Sequence, residues 1–354
     1  MIQRTAGLIE ARSVDVTSDS QEAAGTQSWQ QLLSGSITSP DALLQRLGLD
    51  PVEWREGAEL GHQLFSIRVP EPYARRMEPG NPQDPLLRQV LPTTEEGRSL
   101  PGYVTDPLEE AGSVTTTGLI RKYKSRALLM VTGQCAINCR YCFRRHFPYD
   151  EHRLTSDQRN RILDTLADDP DINEVILSGG DPLVASDKLL SFWVKAIADI
   201  PRIRRLRIHT RLPVVIPQRI THGLLETLSN SGLQCVMVLH INHPNELDEH
   251  VKAAMARLRE AGVTLLNQSV ILQGVNDSSD ILAALSERLF ECHIMPYYLH
   301  AFDPVAGAHH YAVSDDRARG IVKELLSRLP GFLVPRLVRE LPDKPGKTPI
   351  DLFA

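Results

Sequence analysis

From about residue 126 onward, the spacing of apolar and polar positions changes period repeatedly. Short apolar and β-branched runs read as strands: Ala127–Thr132, Glu174–Leu177, Arg205–Thr210, Gln234–His240, Thr264–Val270 and Cys292–Tyr297. Between them lie stretches with the 3.6-residue period of a helix, such as 188–197 and 251–259. This alternation predicts an α/β fold, a parallel sheet with crossover helices. Periodicity alone does not separate a doubly wound sheet from a barrel. Upstream, the pattern is different. Residues 1–30 are rich in Ser, Thr, Gln and Ala, which predicts a frayed, flexible terminus. Ser39 before Pro40 predicts a short capped helix. Between residues 70 and 108, prolines such as Pro79, Pro82 and Pro85 recur, which predicts an extended wrapping segment.

Composition narrows the class only a little. A chain of 354 residues can form one barrel-sized domain plus appendages, and 42% hydrophobic with 23% charged residues is ordinary for a globular protein. The net charge of −5 gives no reason to expect nucleic-acid binding. No apolar run reaches the roughly 18 residues of a membrane span, and the N-terminus lacks a signal-peptide core. A cytoplasmic, reducing setting is expected. The five cysteines are an odd number and are not expected to form a disulfide framework.

Three of those cysteines change the picture. Cys135-Ala-Ile-Asn-Cys139-Arg-Tyr-Cys142 follows the first strand run directly. Three thiolates can bind three irons of a cubane cluster and leave the fourth iron open to a ligand. A zinc site remains an alternative, with His146 as a fourth ligand, although no second Cys pair is present. Ser178-Gly-Gly-Asp-Pro182 follows the second strand run; its glycines allow close backbone approach and its acid can accept from an ammonium. Near the C-terminus, Pro, Gly and Lys alternate without a helical or strand pattern, and Lys347 sits in a Gly-Lys-Thr-Pro turn. Cys235 and Cys292 fall inside strand runs and read as packing residues.

The cysteine spacing resembles the radical S-adenosylmethionine (SAM) superfamily, and together with Lys347 it resembles the lysine 2,3-aminomutase family. Within that family, the stretches 81–91, 142–149 and 265–270 are similar to the branch that supplies (R)-β-lysine for modifying elongation factor P. The resemblance implies a partial (β/α)6 barrel at 111–330, an N-terminal helical and extended wrap at 31–110 and a C-terminal segment at 331–354. It implies a 4Fe–4S cluster on Cys135, Cys139 and Cys142, and SAM held by Ser178, Gly179, Gly180, Asp181, Arg211, His240 and Gln268. It implies pyridoxal 5'-phosphate (PLP) on Lys347, with Tyr123 and Arg126 at its phosphate. Arg144 is implied to hold the substrate carboxylate, while Asp303 and Glu340 hold its distal ammonium; Glu340 stands where Asp is usual. Implied partners are L-lysine, an electron donor, and a link to elongation factor P and its lysyl-transferring enzyme; a homo-oligomer is open. Other implications of the residues are an aminomutase for ornithine, arginine or glutamate, or a non-catalytic iron–sulfur protein. No late cysteine cluster is present, so no zinc is expected.

Overall fold

The computed structural model describes residues 27–147, 154–342 and 344–354. Most of the stretch expected to be flexible, through residue 26, lies outside them.

Among the described residues, ten strands form one sheet in chain order. They are β1 (Val114–Thr116), β2 (Leu119–Tyr123), β3 (Arg126–Thr132), β4 (Glu174–Gly179), β5 (Arg205–Thr210), β6 (Gln234–Leu239), β7 (Thr264–Val270), β8 (Met295–His300), β9 (Arg336–Arg339) and β10 (Thr348–Pro349). Neighbours from β3 through β9 pair in parallel, while β1–β2, β2–β3 and β9–β10 pair antiparallel. Helices Ser156–Asp168, Asp187–Ala198, Glu249–Glu260 and Ser279–Glu291 are among the crossovers that the parallel order requires. The expected helix after Ser39 spans Pro40–Arg46, and the Ser39 hydroxyl accepts from Ala42 N.

Two strand expectations need correction. The sixth apolar run spans Cys292–Tyr297, but β8 is Met295–His300. Cys292 instead closes the preceding helix, its N–H bonding to the Arg288 carbonyl at 3.2 Å, and His293 then turns the chain at φ 61°. The buried Cys292 and Ile294 serve the helix end, which an apolar run cannot reveal. The C-terminal segment, expected to be irregular, contains the β9–β10 hairpin. Its strands are too short for a period of two to show in sequence.

The two faces of the sheet differ in chemistry. Val175, Leu177, Leu206, Ile208, Met237 and Leu239 pack with the helices into the main core. Their alternating neighbours Ser178, Arg207, His209, His240 and Gln268 line a cavity of about 510 Å³. These strands are therefore half core and half binding wall.

The sheet has a linear strand order, and side chains near its two ends meet. Lys122 Nζ lies 3.3 Å from Glu340 Oε1, and Tyr123 OH donates to the same oxygen at 3.2 Å. This brings the end of β2 against the residue after β9. The N-terminal segment covers the cysteine loop from outside. Gln89 O accepts from Arg140 N at 2.9 Å, Arg68 Nη1 donates to Cys135 O at 3.2 Å, and Asn138 Nδ2 donates to Ser66 O at 2.8 Å.

Candidate active site

The cavity runs along the inner face of the parallel strands and reaches their C-terminal ends, where loops can present different side chains to one space. Cys135, Cys139 and Cys142, all in the loop after β3, line it as free thiols. No three His, Cys, Asp or Glu side chains among the described residues are already gathered as a metal cage. Burial pushes the Cys142 thiol up to about 11 and the Cys135 thiol well above its ordinary value; neighbouring sulfurs add to both. His146 is exposed and faces the Ala306 carbonyl at 3.1 Å.

The arginines around these cysteines are not a solvated basic run. Glu96, from the N-terminal segment, accepts from Arg140 Nε at 2.8 Å and from Arg145 Nη2 at 2.6 Å. Arg144 is paired with a second acid of that segment, Glu110: Nε reaches Oε2 at 2.6 Å and Nη2 reaches Oε1 at 2.8 Å. Arg144 Nη1 points at Ser178 Oγ, 3.2 Å away, and at the Gly179 carbonyl, 3.3 Å away. Lys122 joins the same carboxylate at 3.0 Å. Burial alone would raise the pKa of Glu110, but Arg144 and Lys122 hold it below the usual range. Sequence reasoning missed Glu110. It carries no motif, and its partners lie 12 and 34 residues later in the chain.

The glycines after β4 serve first to bring two backbones together. A Cβ on Gly179 would lie 2.5 Å from the Thr132 carbonyl, and one on Gly180 would lie 2.4 Å from the Gln134 carbonyl. Gly179 also has φ 117°. The strand end is thus seated against the residues that open the cysteine loop. Asp181 already has partners within the protein. Its Oδ1 accepts from Leu183 N at 3.0 Å and Thr210 Oγ1 at 2.7 Å; its Oδ2 accepts from Arg211 N at 2.8 Å and Leu212 N at 2.9 Å. Four donors engage the carboxylate, so it ties the end of β5 to the loop after β4.

Arg211 leads away from the cavity wall into a buried network. It donates to Cys139 Sγ at 2.7 Å, Tyr141 OH at 2.8 Å, Gln89 Oε1 at 2.7 Å and Glu246 Oε2 at 2.8 Å. His240, just past β6, and Gln268, near the end of β7, touch each other at 2.8 Å. Burial lowers His240 to about 3 and holds His209 and His300 well below the usual imidazole range. All three are neutral at neutral pH. His209 and His300 line the cavity with a buried Nε2 that lacks a protein hydrogen-bond partner.

The hairpin register builds the opposite rim. β9–β10 pairs Arg339 with Thr348, so the next residues inward, Glu340 and Lys347, face each other. Lys347 Nζ donates to Glu340 Oε2 at 2.7 Å. The seven-residue spacing of acid and lysine is therefore a hairpin spacing. Lys344 is exposed and does not line the cavity, whereas Lys347 does. Burial would raise Glu340, but Lys347 and Lys122 hold it well below the carboxylate range. Asp303 lines the same end of the cavity, and burial together with the Glu340 charge pushes it up to about 7. Arg126 lies over the Tyr123 ring at 4.1 Å, and a Cβ on Gly346 would be 3.9 Å from the Arg126 guanidinium.

The radical SAM superfamily model matches residues 129–285. The L-lysine 2,3-aminomutase of Escherichia coli (strain K12) is 52% identical over 326 residues, covering 92% of this chain and 95% of that protein. The chain belongs to the L-lysine 2,3-aminomutase family. The Haemophilus influenzae L-lysine 2,3-aminomutase is 49% identical, covering 91% of this chain and 95% of that one. A more distant member, from Clostridium subterminale, is 32% identical and extends further, with this chain spanning 77% of it. As a radical SAM aminomutase, the chain is an isomerase that uses a 4Fe–4S cluster, SAM and PLP.

The residues present fit those groups. Burial holds the Cys135 and Cys142 thiols protonated alone, and a cationic cluster deprotonates coordinating thiols outright. The unpartnered imidazole nitrogens of His209 and His300 give the cavity wall polar atoms that a ligand can satisfy. Lys122, Tyr123 and Arg126 gather beside Lys347, a setting suited to an anionic phosphate next to an amine. Among the described residues, no helix is long and apolar enough to cross a membrane.

Proposed function

We propose that this chain converts L-lysine to (R)-β-lysine, moving the amino group from Cα to Cβ, with Cys135, Cys139 and Cys142 as the cluster ligands. Ser178, Gly179, Gly180, His240 and Gln268 border the place for SAM, with Asp181 and Arg211 positioning its walls. Lys347 carries PLP, with Tyr123 and Arg126 at the phosphate. The observation that carries the reading is the hairpin: it puts Lys347 on the same cavity as three cysteines about 210 residues earlier in the chain.

When bound, the cluster and SAM supply a carbon-centred radical, and PLP supplies an electron sink for the migrating nitrogen. The protein's part is to place and shield. Arg144 suits a carboxylate through its planar fork of donors. Asp303 and Glu340 favour a cationic side-chain end and disfavour glutamate. A lysine ε-ammonium arriving at Glu340 takes the place that the Lys347 ammonium holds at 2.7 Å. Neutral His209, His240 and His300 line the cavity without adding charge that would draw in water.

The likeness to the elongation-factor-P branch supports a supply of β-lysine to a lysyl-transferring enzyme, in a cytoplasm with a low-potential electron donor. Product analysis tests the activity. Enzyme with reconstituted cluster, PLP, SAM and dithionite is expected to form (R)-β-lysine from L-lysine faster than β-isomers from ornithine, arginine or glutamate. Absence of β-lysine, or preference for glutamate, contradicts it. The pathway is tested by the mass of elongation factor P from cells lacking this gene, which is expected to lose the β-lysyl addition.

A further inference from the structure

We infer that Glu110 is a positioning residue for substrate recognition: it holds the Arg144 fork and Lys122 in the places from which they meet anionic groups. The inference rests on the reading of Arg144 as the carboxylate anchor. Glu110 is 3% exposed, yet it borders the cavity together with both of its cationic partners. It takes the Nε–Nη2 edge of Arg144 with both oxygens, at 2.6 and 2.8 Å. A guanidinium gripped along one edge has its plane and rotation fixed. The Nη1 tip is thereby set at the Ser178–Gly179 end of β4, within 3.2 and 3.3 Å of those residues.

The same carboxylate draws in Lys122, 3.0 Å away, and Lys122 reaches Glu340 at 3.3 Å. One chain of alternating charges thus runs from β4 through Arg144, Glu110, Lys122 and Glu340 to Lys347. Glu110 is the link that neutralises two cations, one from β2 and one from the cysteine loop; without it, Arg144 and Lys122 lose the carboxylate between them. The backbone around it is built for the purpose. Glu109 sits at φ 50°, a left-handed conformation uncommon outside glycine, and the Glu110 N–H is held by Asp106 Oδ1 at 3.1 Å. The N-terminal segment therefore supplies a residue to the catalytic cavity as well as a cover for it.

The test separates positioning from structural support by comparing two ligands that differ only at the carboxylate. Binding of L-lysine and of L-lysinamide to enzyme carrying its cluster and PLP, without SAM, is measured by equilibrium dialysis. Wild type is expected to prefer lysine. Arg144→Gln removes that preference if Arg144 is the anchor. Glu110→Gln is expected to cut it by about tenfold or more, the scale of breaking a buried charge pair, with iron and PLP content unchanged. A purely structural role weakens both ligands alike and leaves the preference intact. If Arg144→Gln loses the preference and Glu110→Gln keeps it, the inference on Glu110 is overturned and the anchor reading stands. If Arg144→Gln keeps it, the anchor assignment fails and takes the inference with it. Should Glu110→Gln not assemble, Glu110→Asp carries the same comparison, because its carboxylate is withdrawn by one methylene and is expected to lower the preference too.

Discussion

At the cysteine end of the cavity, charges are held by acids sunk into the protein; at the hairpin end, they are held by acids near the opening. Glu96 and its partners Arg140 and Arg145 have side chains no more than 1% exposed. Glu340 and its partners Lys122 and Lys347 have side chains 16–18% exposed. A pair out of water with several donors is costly to break and does not exchange partners readily. A pair at a half-open rim can be traded for a ligand charge. The first arrangement suits a loop that must present three thiols in one geometry. The second suits the proposed role of the rim, in which Lys347 would leave Glu340 to carry PLP and a substrate ammonium would take its place.

The largest effect that sharpens this contrast is at the thiols. Cys135→Ala, Cys139→Ala or Cys142→Ala should each abolish the cluster, read as iron content and visible absorbance. Cys235→Ala and Cys292→Ala, both at core positions, should retain about full iron. Equal iron loss from Cys292→Ala would sink the ligand assignment.

Next in size is the buried acid. Glu96→Gln leaves Arg140 and Arg145 without their carboxylate and should cost about 3–5 kcal/mol, seen as a large drop in thermal midpoint. Glu340→Gln should cost at most about 2 kcal/mol, because its partners can turn to water. Similar losses for the two variants would erase the distinction between the rims.

Substrate recognition should show a smaller, pH-dependent effect. Asp303 is pushed up to about 7 by burial and by Glu340, so it is mostly protonated below that value and ionised above it. The lysine ε-ammonium stays charged throughout that range. Lysine binding should therefore strengthen as pH rises from about 6 to 8. Asp303→Asn should remove that rise and raise KM by about tenfold or more. A flat profile in the wild type contradicts the ammonium role of Asp303. The smallest effect is expected from Glu340→Asp, which shortens one arm by a methylene and should leave cofactor content and most activity in place.

What could be read in the sequence was what lies close in the chain. The cysteine loop, the glycines after β4 and the alternation of strands and helices are local patterns, and the structure gathers them around one cavity. Three features were not legible. Glu110 and Glu96 act through pairings that cross the fold, and each is the second Glu of an ordinary Glu-Glu pair that carries no signal of its partner. The four donors to Asp181 come from its own loop and from the end of β5 and the residues after it, so its structural role does not show in the Gly-Gly-Asp-Pro pattern. The C-terminal hairpin was too short for periodicity, although Glu340 and Lys347 were both singled out and their spacing is what the hairpin register explains.

The most direct test of the account is chemical labelling of the resting enzyme. Borohydride reduction of PLP-loaded protein, followed by proteolysis and mass spectrometry, should fix the pyridoxyl group on Lys347. That residue lines the cavity opposite Glu340, while Lys344 does not. Label on Lys347 is the result the account requires; label on Lys344, on Lys122 or on no lysine contradicts it.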